Sequence, residues 1–401
     1  MAWIASSISA QGQGEHLLSL QQAIQEGLRS PAAQVYKGQA DQAAAFIRQA
    51  GLRPNPRLYL QSEDLRPWDS SFSMGNDSES TGYLGQTIEI AGKRGKRVSV
   101  ARANAERAEA DAESQRRLLA GRIAQAYWYY AATLAALDLQ KQNLQSANDV
   151  VRYHDERVKA GAMRGVDLLR MQLERDRAMI DLQTAETNAD VARLKLLQEM
   201  GRTNLTDTPH LSDALTLVDP VEEIPVETAI LHRADVSAAN SALRAAEADA
   251  SLQRANGVPD PDFIGGYKRN LDSNSLYAGL QFTLPLFNRN QGEVGRADAA
   301  ARTASAQLLQ TQLSARSEIE SARTVYARSK EIATKIMPDM QTRAKRHLAI
   351  LDDAYRSGGI DLLRYIDARR LAVEVELSAY QRLVEYHNSA IQLQLAYGEQ
   401  P

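Results

Sequence analysis

The chain states one unit twice, and that duplication limits what it can fold into more than any other feature. Asp167-Leu168-Leu169-Arg170 recurs as Asp361-Leu362-Leu363-Arg364, each just after a glycine break, Gly161 to Gly165 in the first copy and Gly358-Gly359 in the second. Upstream, Gly51 to Pro56 is echoed by Gly257 to Pro261; downstream, Leu196 to Gly201 is echoed by Leu393 to Gly398. Equivalent landmarks lie about 200 residues apart, half of the chain, and the apolar faces of such a repeat must be buried against a copy of the same unit. The expected organisation is a terminal stretch 1–16, a first repeat 17–201, a linker 202–225 and a second repeat 226–398.

Composition then narrows the class. Ala, Gln, Glu, Arg and Leu dominate and long stretches lack Gly and Pro, which is the make-up of long packed helices. A net charge of -3 gives no reason to expect nucleic acid as a partner. The absence of cysteine removes disulfides, thiol catalysis, thiolate metal sites and a lipidated N-terminal cysteine. No run approaches the roughly 20 apolar residues of a membrane-spanning helix. The opening Met1 to Gln11, with small residues before Ala10, reads as the tail of a secretory signal or else as a frayed terminus, and the first reading is favoured.

Each half runs in the same order. Short helices come first (17–29 and 31–50; 226–232 and 236–256), then a Pro-x-Pro entry that no helix can continue. Two short segments of alternating character follow, strands about 57–65 and 81–91 in the first half and 262–269 and 276–286 in the second. Leu276, Ala278, Leu280, Phe282 and Leu284 alternate with Tyr277, Gly279, Gln281 and Thr283, the period of a strand that faces two different media. Each half then launches a long helix, 92–159 and 292–355, of roughly 100 Å at 1.5 Å per residue. After the glycine break a shorter helix returns, 166–200 and 360–397. Stacking a short helix end to end on each return helix completes the second arm of an antiparallel coiled-coil pair. Four strands of this length can cross a bilayer, yet four cannot close a barrel, and open sheet edges are not tolerated in lipid. Several chains must therefore pool their strands.

The arrangement resembles the TolC-type outer membrane factors, the exit ducts of Gram-negative efflux and secretion machines. The segment Gln86-Thr87-Ile88-Glu89-Ile90-Ala91-Gly92-Lys93-Arg94 is similar to the strand-to-helix junction of that family's first repeat. Thr283-Leu284-Pro285-Leu286-Phe287-Asn288-Arg289-Asn290-Gln291-Gly292 is similar to the second, in the form found in the CzcC-like heavy-metal branch. Gly92, Arg94, Pro285, Phe287, Asn288, Arg289 and Gly292 mark these junctions. The likeness spans residues 17 to 398 and implies a mainly α chain with a small β part. In that family a homotrimer forms a 12-stranded β-barrel in outer-membrane lipid, with an α-helical barrel hanging in the periplasm. It also implies a periplasmic adaptor and an inner-membrane resistance-nodulation-division pump as partners, and no chemistry. Many relatives carry an N-terminal lipid on cysteine, so here anchoring is expected to rest on the barrel.

The resemblance further assigns the turns after the long helices to the periplasmic tips. Asp367 stands about 31 residues before Gly398, as does an aspartate of the family's constriction ring, and a ring of carboxylates would attract cations. The family's companion aspartate is Arg364 here, which leaves three readings of Asp361, Arg364 and Asp367: a gate, an Asp-Arg latch between neighbouring helices, or a solvated i, i+3 pair. Gly161, Gly165, Asp167, Leu168, Leu169, Arg170, Gly358, Gly359, Leu362 and Leu363 would dock the adaptor, or simply pack the tips. The Tyr127 to Tyr130 run is expected to pack between helices. Six histidines without H-x-x-x-H spacing, and no phosphate or nucleophile motif, leave no expected metal site, cofactor or catalysis. Heavy-metal cations are the favoured cargo. The rivals are the same duct for drugs and other organic compounds, and a soluble coiled-coil scaffold.

Overall fold

A proline-free stretch from Trp68 to Thr208 carries two of the longest helices, because nothing in it removes a backbone donor. The computed structural model describes residues 17–217, 221–270 and 273–401. The stretch 1–16, read above as a signal remnant or frayed end, lies outside the described residues. In order, the elements are α1 (Leu20–Gly27), α2 (Pro31–Ala50), β1 (Arg57–Glu63), β2 (Glu79–Thr87), α3 (Lys93–Lys159), α4 (Gly165–Met200), α5 (Val226–His232) and α6 (Ala234–Asn256). Then follow β3 (Asp262–Asn270), β4 (Ser273–Gln281), α7 (Gln291–Glu331), a π-helical turn Ile332–Ile336, α8 (Met337–Arg356) and α9 (Leu362–Ala396).

Two compact units result, and each draws on both repeats. One holds the chain up to Tyr36, Ser114–Arg233 and Ala315–Pro401; the other holds Lys37–Glu113 and Ala234–Ser314. In the first unit, burial recurs every seven residues. On α3 the buried positions include Ala126, Thr133, Gln140, Ala147 and His154; on α4, Met171, Ala178, Ala185 and Ala192. A seven-residue repeat is the seam of left-handed coiled-coil packing, and alanines in it let backbones approach closely. The return helices end on glycines that no larger residue could replace without a shift. A Cβ on Gly201 would meet Ser30 Cβ at 2.5 Å, and one on Gly398 would meet the His232 carbonyl at 2.7 Å. Each return helix therefore ends against a junction between short helices, Ser30-Pro31 in the first repeat and His232-Arg233 in the second.

The core of this unit also fastens the segment between the repeats. Leu18 and Leu211 form a parallel bridge, and the Tyr127 hydroxyl lies 2.8 Å from the Leu18 carbonyl and 2.9 Å from the Asp213 carboxylate. In the second repeat, Tyr326 of α7 accepts a hydrogen bond from the Val221 N–H at 3.0 Å. Tyr127, Trp128 and Tyr130 are buried, so this aromatic run packs between helices, whereas Tyr129 is exposed. His387 stacks on Trp128 at 3.8 Å and donates from Nε2 to the Thr216 carbonyl at 2.8 Å.

Burial pushes the His387 imidazole down from 6.5 to about 4. Between these values the unfolded chain takes up a proton that the folded chain refuses, so stability is complete above about 6.5 and falls as the pH drops toward about 4. The expected loss is about 3 kcal/mol, levelling off below that window. Unfolding midpoints measured from pH 7 to pH 4 should show this slope, and His387→Phe should flatten it. An unchanged slope in that variant would remove His387 as the cause.

The second unit contains the sheet, antiparallel throughout in the order β1-β2-β3-β4. Its register sorts the side chains onto two faces. Leu58, Leu60, Leu84, Phe263, Tyr267, Leu276, Ala278 and Leu280 share one face; Arg57, Gln61, Glu63, Glu79, Thr81, Asp262, Lys268 and Gln281 share the other. The apolar face is uncovered in the single chain, with Leu60 73% and Leu276 84% exposed.

Three expectations need correction. β2 and β4 sit nearer the connecting loops than 81–91 and 276–286. Strand ends are set by the partner strand, and the last rungs are Thr87↔Asp262 and Gln281↔Asp262; past them Ile88 keeps one backbone bond, to the Pro261 carbonyl, before the chain turns into α3. α6 begins at Ala234 rather than 236. The second long helix is not continuous: Pro338 has no N–H to give, and the chain inserts a π-turn in which the Met337 N–H bonds back to Ile332.

Candidate functional site

The two helical turns are built alike because their sequences are alike. Gly161 and Gly358 adopt φ values of 70° and 78°, a left-handed conformation that ends each long helix. The following N–H groups close the same pair of bonds, Ala162 to the Arg157 carbonyl and Gly359 to the Ala354 carbonyl, both at 2.8 Å. Gly165 then starts α4, while Asp361 caps α9 by accepting from the Arg364 N–H at 2.9 Å. The duplicated aspartate has a related task in the first turn, where Asp167 accepts from Arg164 Nε at 3.3 Å. Leu168 and Leu362 are half-buried; Leu169 and Leu363 are 61% and 44% exposed. Arg170, Arg364 and Asp367 are all exposed. Within the chain Arg364 reaches Asp361, 3.9 Å away, the local i, i+3 arrangement. Basic residues at the ends of α3 and α8 are paired on the spot, Lys159 with Asp155 at 2.6 Å and Arg356 with Asp352 at 2.9 Å.

Behind the turns lies a cluster that sequence reasoning missed. His154 is fully buried on α3, and its Nδ1–H donates to the Val150 carbonyl at 2.7 Å, since a carbonyl can only accept. Nε2 is thereby left to accept from the Tyr355 hydroxyl of α8 at 2.6 Å. Tyr355 stacks on Tyr365 of α9 at 4.7 Å, and burial pushes the Tyr355 hydroxyl up to about 12. Arg370 Nε completes the tie between the hairpins through Glu174, at 3.0 Å. The available signal was position: His154 falls on the seven-residue seam, seven residues before the Gly161 turn.

At the strand-to-helix junctions the motif residues hold mostly backbone. Ala91 and Gly92 have positive φ, and Arg94 is exposed. Its neighbour Lys93 is the anchor: it is buried, and its Nζ lies 2.8 Å from Asp260 Oδ2. Asn288 accepts from the Asn290 N–H at 2.9 Å, Arg289 Nε donates to the Pro285 carbonyl at 3.2 Å, and Gly292 lies in the first turn of α7. Phe287 is 92% exposed.

The polar face of the sheet carries Arg57–Asp262 and Lys268–Glu79 ion pairs at 2.9 and 3.1 Å. Among the described residues no cluster of His, Asp or Glu is placed to hold a metal ion, and no helix is long and apolar enough to cross a membrane. What remains is an amphipathic sheet with two free edges and a set of long coiled-coil arms.

Comparison with known proteins agrees with that geometry. The family model described as outer membrane efflux protein matches residues 21–202 and 226–399. The chain is 23% identical over 343 residues to the cobalt-zinc-cadmium resistance protein CzcC of Cupriavidus metallidurans, covering 84% of this chain and 79% of the relative. It is 25% identical over 334 residues to the nickel-cobalt-cadmium resistance protein NccC of Alcaligenes xylosoxydans, covering 79% and 71%. The open-state crystal structure of the Neisseria gonorrhoeae MtrE outer membrane channel superposes with a TM-score of 0.80 at 18% identity, over 95% of this chain and 89% of that one.

Proposed function

Because the chain belongs to the outer membrane efflux protein family, we propose that it forms the exit duct of a tripartite pump for heavy-metal cations. The protein resides in the outer membrane, with its helical part in the periplasm. The observation that carries the reading is the sheet: an uncovered apolar face opposite a charged one, ending in unpaired edges at β1 and β4. In hydrocarbon such edges must be paired, and the even, all-antiparallel order lets β4 of one copy meet β1 of the next in the same sense. Three copies close a ring of twelve strands. Each repeat, 17–201 and 226–398, supplies one strand pair and one helical hairpin to this homotrimer.

Transport through the duct is passive, and the protein performs no catalysis. A periplasmic adaptor docks on the exposed Leu169 and Leu363 at the tips, and an inner-membrane resistance-nodulation-division pump supplies the driving force. Asp367, exposed near the start of α9, lines the closing ring and draws cations to it. Metal cargo is supported by the cobalt, zinc, cadmium and nickel named for the two relatives.

Growth of a deletion strain across metals and organic drugs tests the cargo. Sensitivity confined to metals and reversed by the gene is expected; sensitivity to drugs alone would keep the duct and replace its cargo. Complementation with Leu169→Asp/Leu363→Asp should fall to the level of the deletion strain while the protein stays in the outer membrane, and full resistance would remove the tips from docking. Asp367→Ala should change cation conductance in planar bilayers, and an unchanged conductance would take it out of the gate.

A further inference from the structure

Three tyrosines stand on one rung of the polar face of the sheet. Tyr59 pairs with Tyr83, Tyr83 with Gly266, and Gly266 with Tyr277, so the rung is tyrosine on three strands and glycine on the fourth. Strands are about 4.8 Å apart, and side chains two strands apart would stand roughly 10 Å from each other if they rose straight from the sheet. The Tyr83 and Tyr277 rings are centred only 6.2 Å apart, edge to face, while Tyr59 and Tyr83 stack at 4.7 Å. Gly266 permits this, because a Cβ there would lie 2.5 Å from Tyr83 Cβ. The rings lean over the glycine and form one unbroken aromatic row across all four strands.

Burial does not explain the row. It lies among Arg57, Gln61, Thr81, Asp262 and Lys268, on the face opposite the apolar one, and Tyr59 remains 40% exposed. We propose that this row is the size filter of the duct. The inference rests on the closed twelve-stranded ring described above, in which three such rows, each inclined with the tilt of its strands, repeat around the bore as a threefold girdle. Twelve strands about 4.8 Å apart and tilted by about 40° put the backbone roughly 12 Å from the axis, and a tyrosine reaches inward about half that distance. This girdle narrows the bore from three sides, and its stacked rings hold one another in place. Small hydrophilic solutes, hydrated metal cations among them, pass; bulky amphipathic molecules are held back.

The cysteine-free chain allows a direct test. Gln281→Cys places a thiol on the same face, on the helix side of the girdle, and Ser275→Cys places one on the loop side. Intact cells are treated from outside with a small maleimide and with polyethylene-glycol maleimides of increasing size. Gln281→Cys is expected to react with the small reagent and to reject the larger ones, while Ser275→Cys accepts larger ones. Adding Tyr59→Ala/Tyr83→Ala/Tyr277→Ala should shift the Gln281→Cys cut-off to larger reagents, and an unchanged cut-off overturns the filter. If the triple variant does not reach the outer membrane, Tyr277→Trp should shift the cut-off to smaller reagents, and no shift again overturns it. Failure of even the small maleimide to reach Gln281→Cys in any background would overturn the water-filled ring itself, and the filter with it.

Discussion

Gly266→Val is expected to remove the protein from the outer membrane. Strands β1 and β2 come from the first repeat and β3 and β4 from the second, so the β2–β3 ladder alone joins the repeats within the sheet. A Cβ at position 266 would lie 2.3 Å from the Gly82 carbonyl oxygen and 2.8 Å from Tyr83 Cα. These are backbone atoms and cannot rotate aside. Relief requires β2 and β3 to part around Gly82↔Tyr267, Tyr83↔Gly266 and Leu84↔Gly265. Backbone groups unpaired in hydrocarbon cost several kcal/mol each, so losing two or three of them amounts to on the order of 5 kcal/mol or more. Gly265 provides the control. It points to the opposite face with nothing within 4 Å of its Cβ position, and Gly265→Ala should assemble normally. Native amounts of Gly266→Val in outer-membrane fractions would contradict this account of the ladder.

Gly265 and Gly266 also mark where the sequence stops being informative. The pair is legible as a weak spot in a strand, but which glycine is indispensable depends on Tyr83 lying across one of them, and that is a fact of register. Features written locally were readable: the positive-φ turns at Gly161 and Gly358, and the alternating face from Leu276 to Leu280. Features resting on a distant partner were not. The bonds from Tyr127 and His387 end on the Leu18 and Thr216 carbonyls, groups every residue carries, so nothing in the side-chain pattern announces them. His154 stands in no spacing that singles it out, and its partner is a tyrosine about 200 residues away in the other repeat. The strand-to-helix motif marks Arg94, which is exposed, while the buried anchor is its neighbour Lys93. A motif shows which residues recur, and burial shows which one is held.

Lys93→Met is accordingly expected to destabilise the folded protein by about 3 kcal/mol, whereas Arg94→Met should stay within about 0.5 kcal/mol of the native protein. Lys93 Nζ is 2.8 Å from Asp260 Oδ2 and 2.5 Å from the Val258 carbonyl, and Asp260 Oδ1 accepts from the Ile90 N–H at 2.9 Å. One ammonium thus ties the start of α3 to the Pro-Asp-Pro entry of the second repeat. Methionine fills the volume of the lysine stem but leaves the Asp260 carboxylate, only 20% exposed, without its cation. The cost arises from that stranded charge and not from lost packing, which gives the experiment its sign. Lys93→Met/Asp260→Asn removes the charge while keeping an oxygen for the Ile90 N–H, and should recover most of the loss. Thermal midpoints of the four proteins in one detergent decide the matter. A double variant no better than Lys93→Met would mean that the lysine acts through its stem and the Val258 carbonyl, and that the ion pair does not hold the junction.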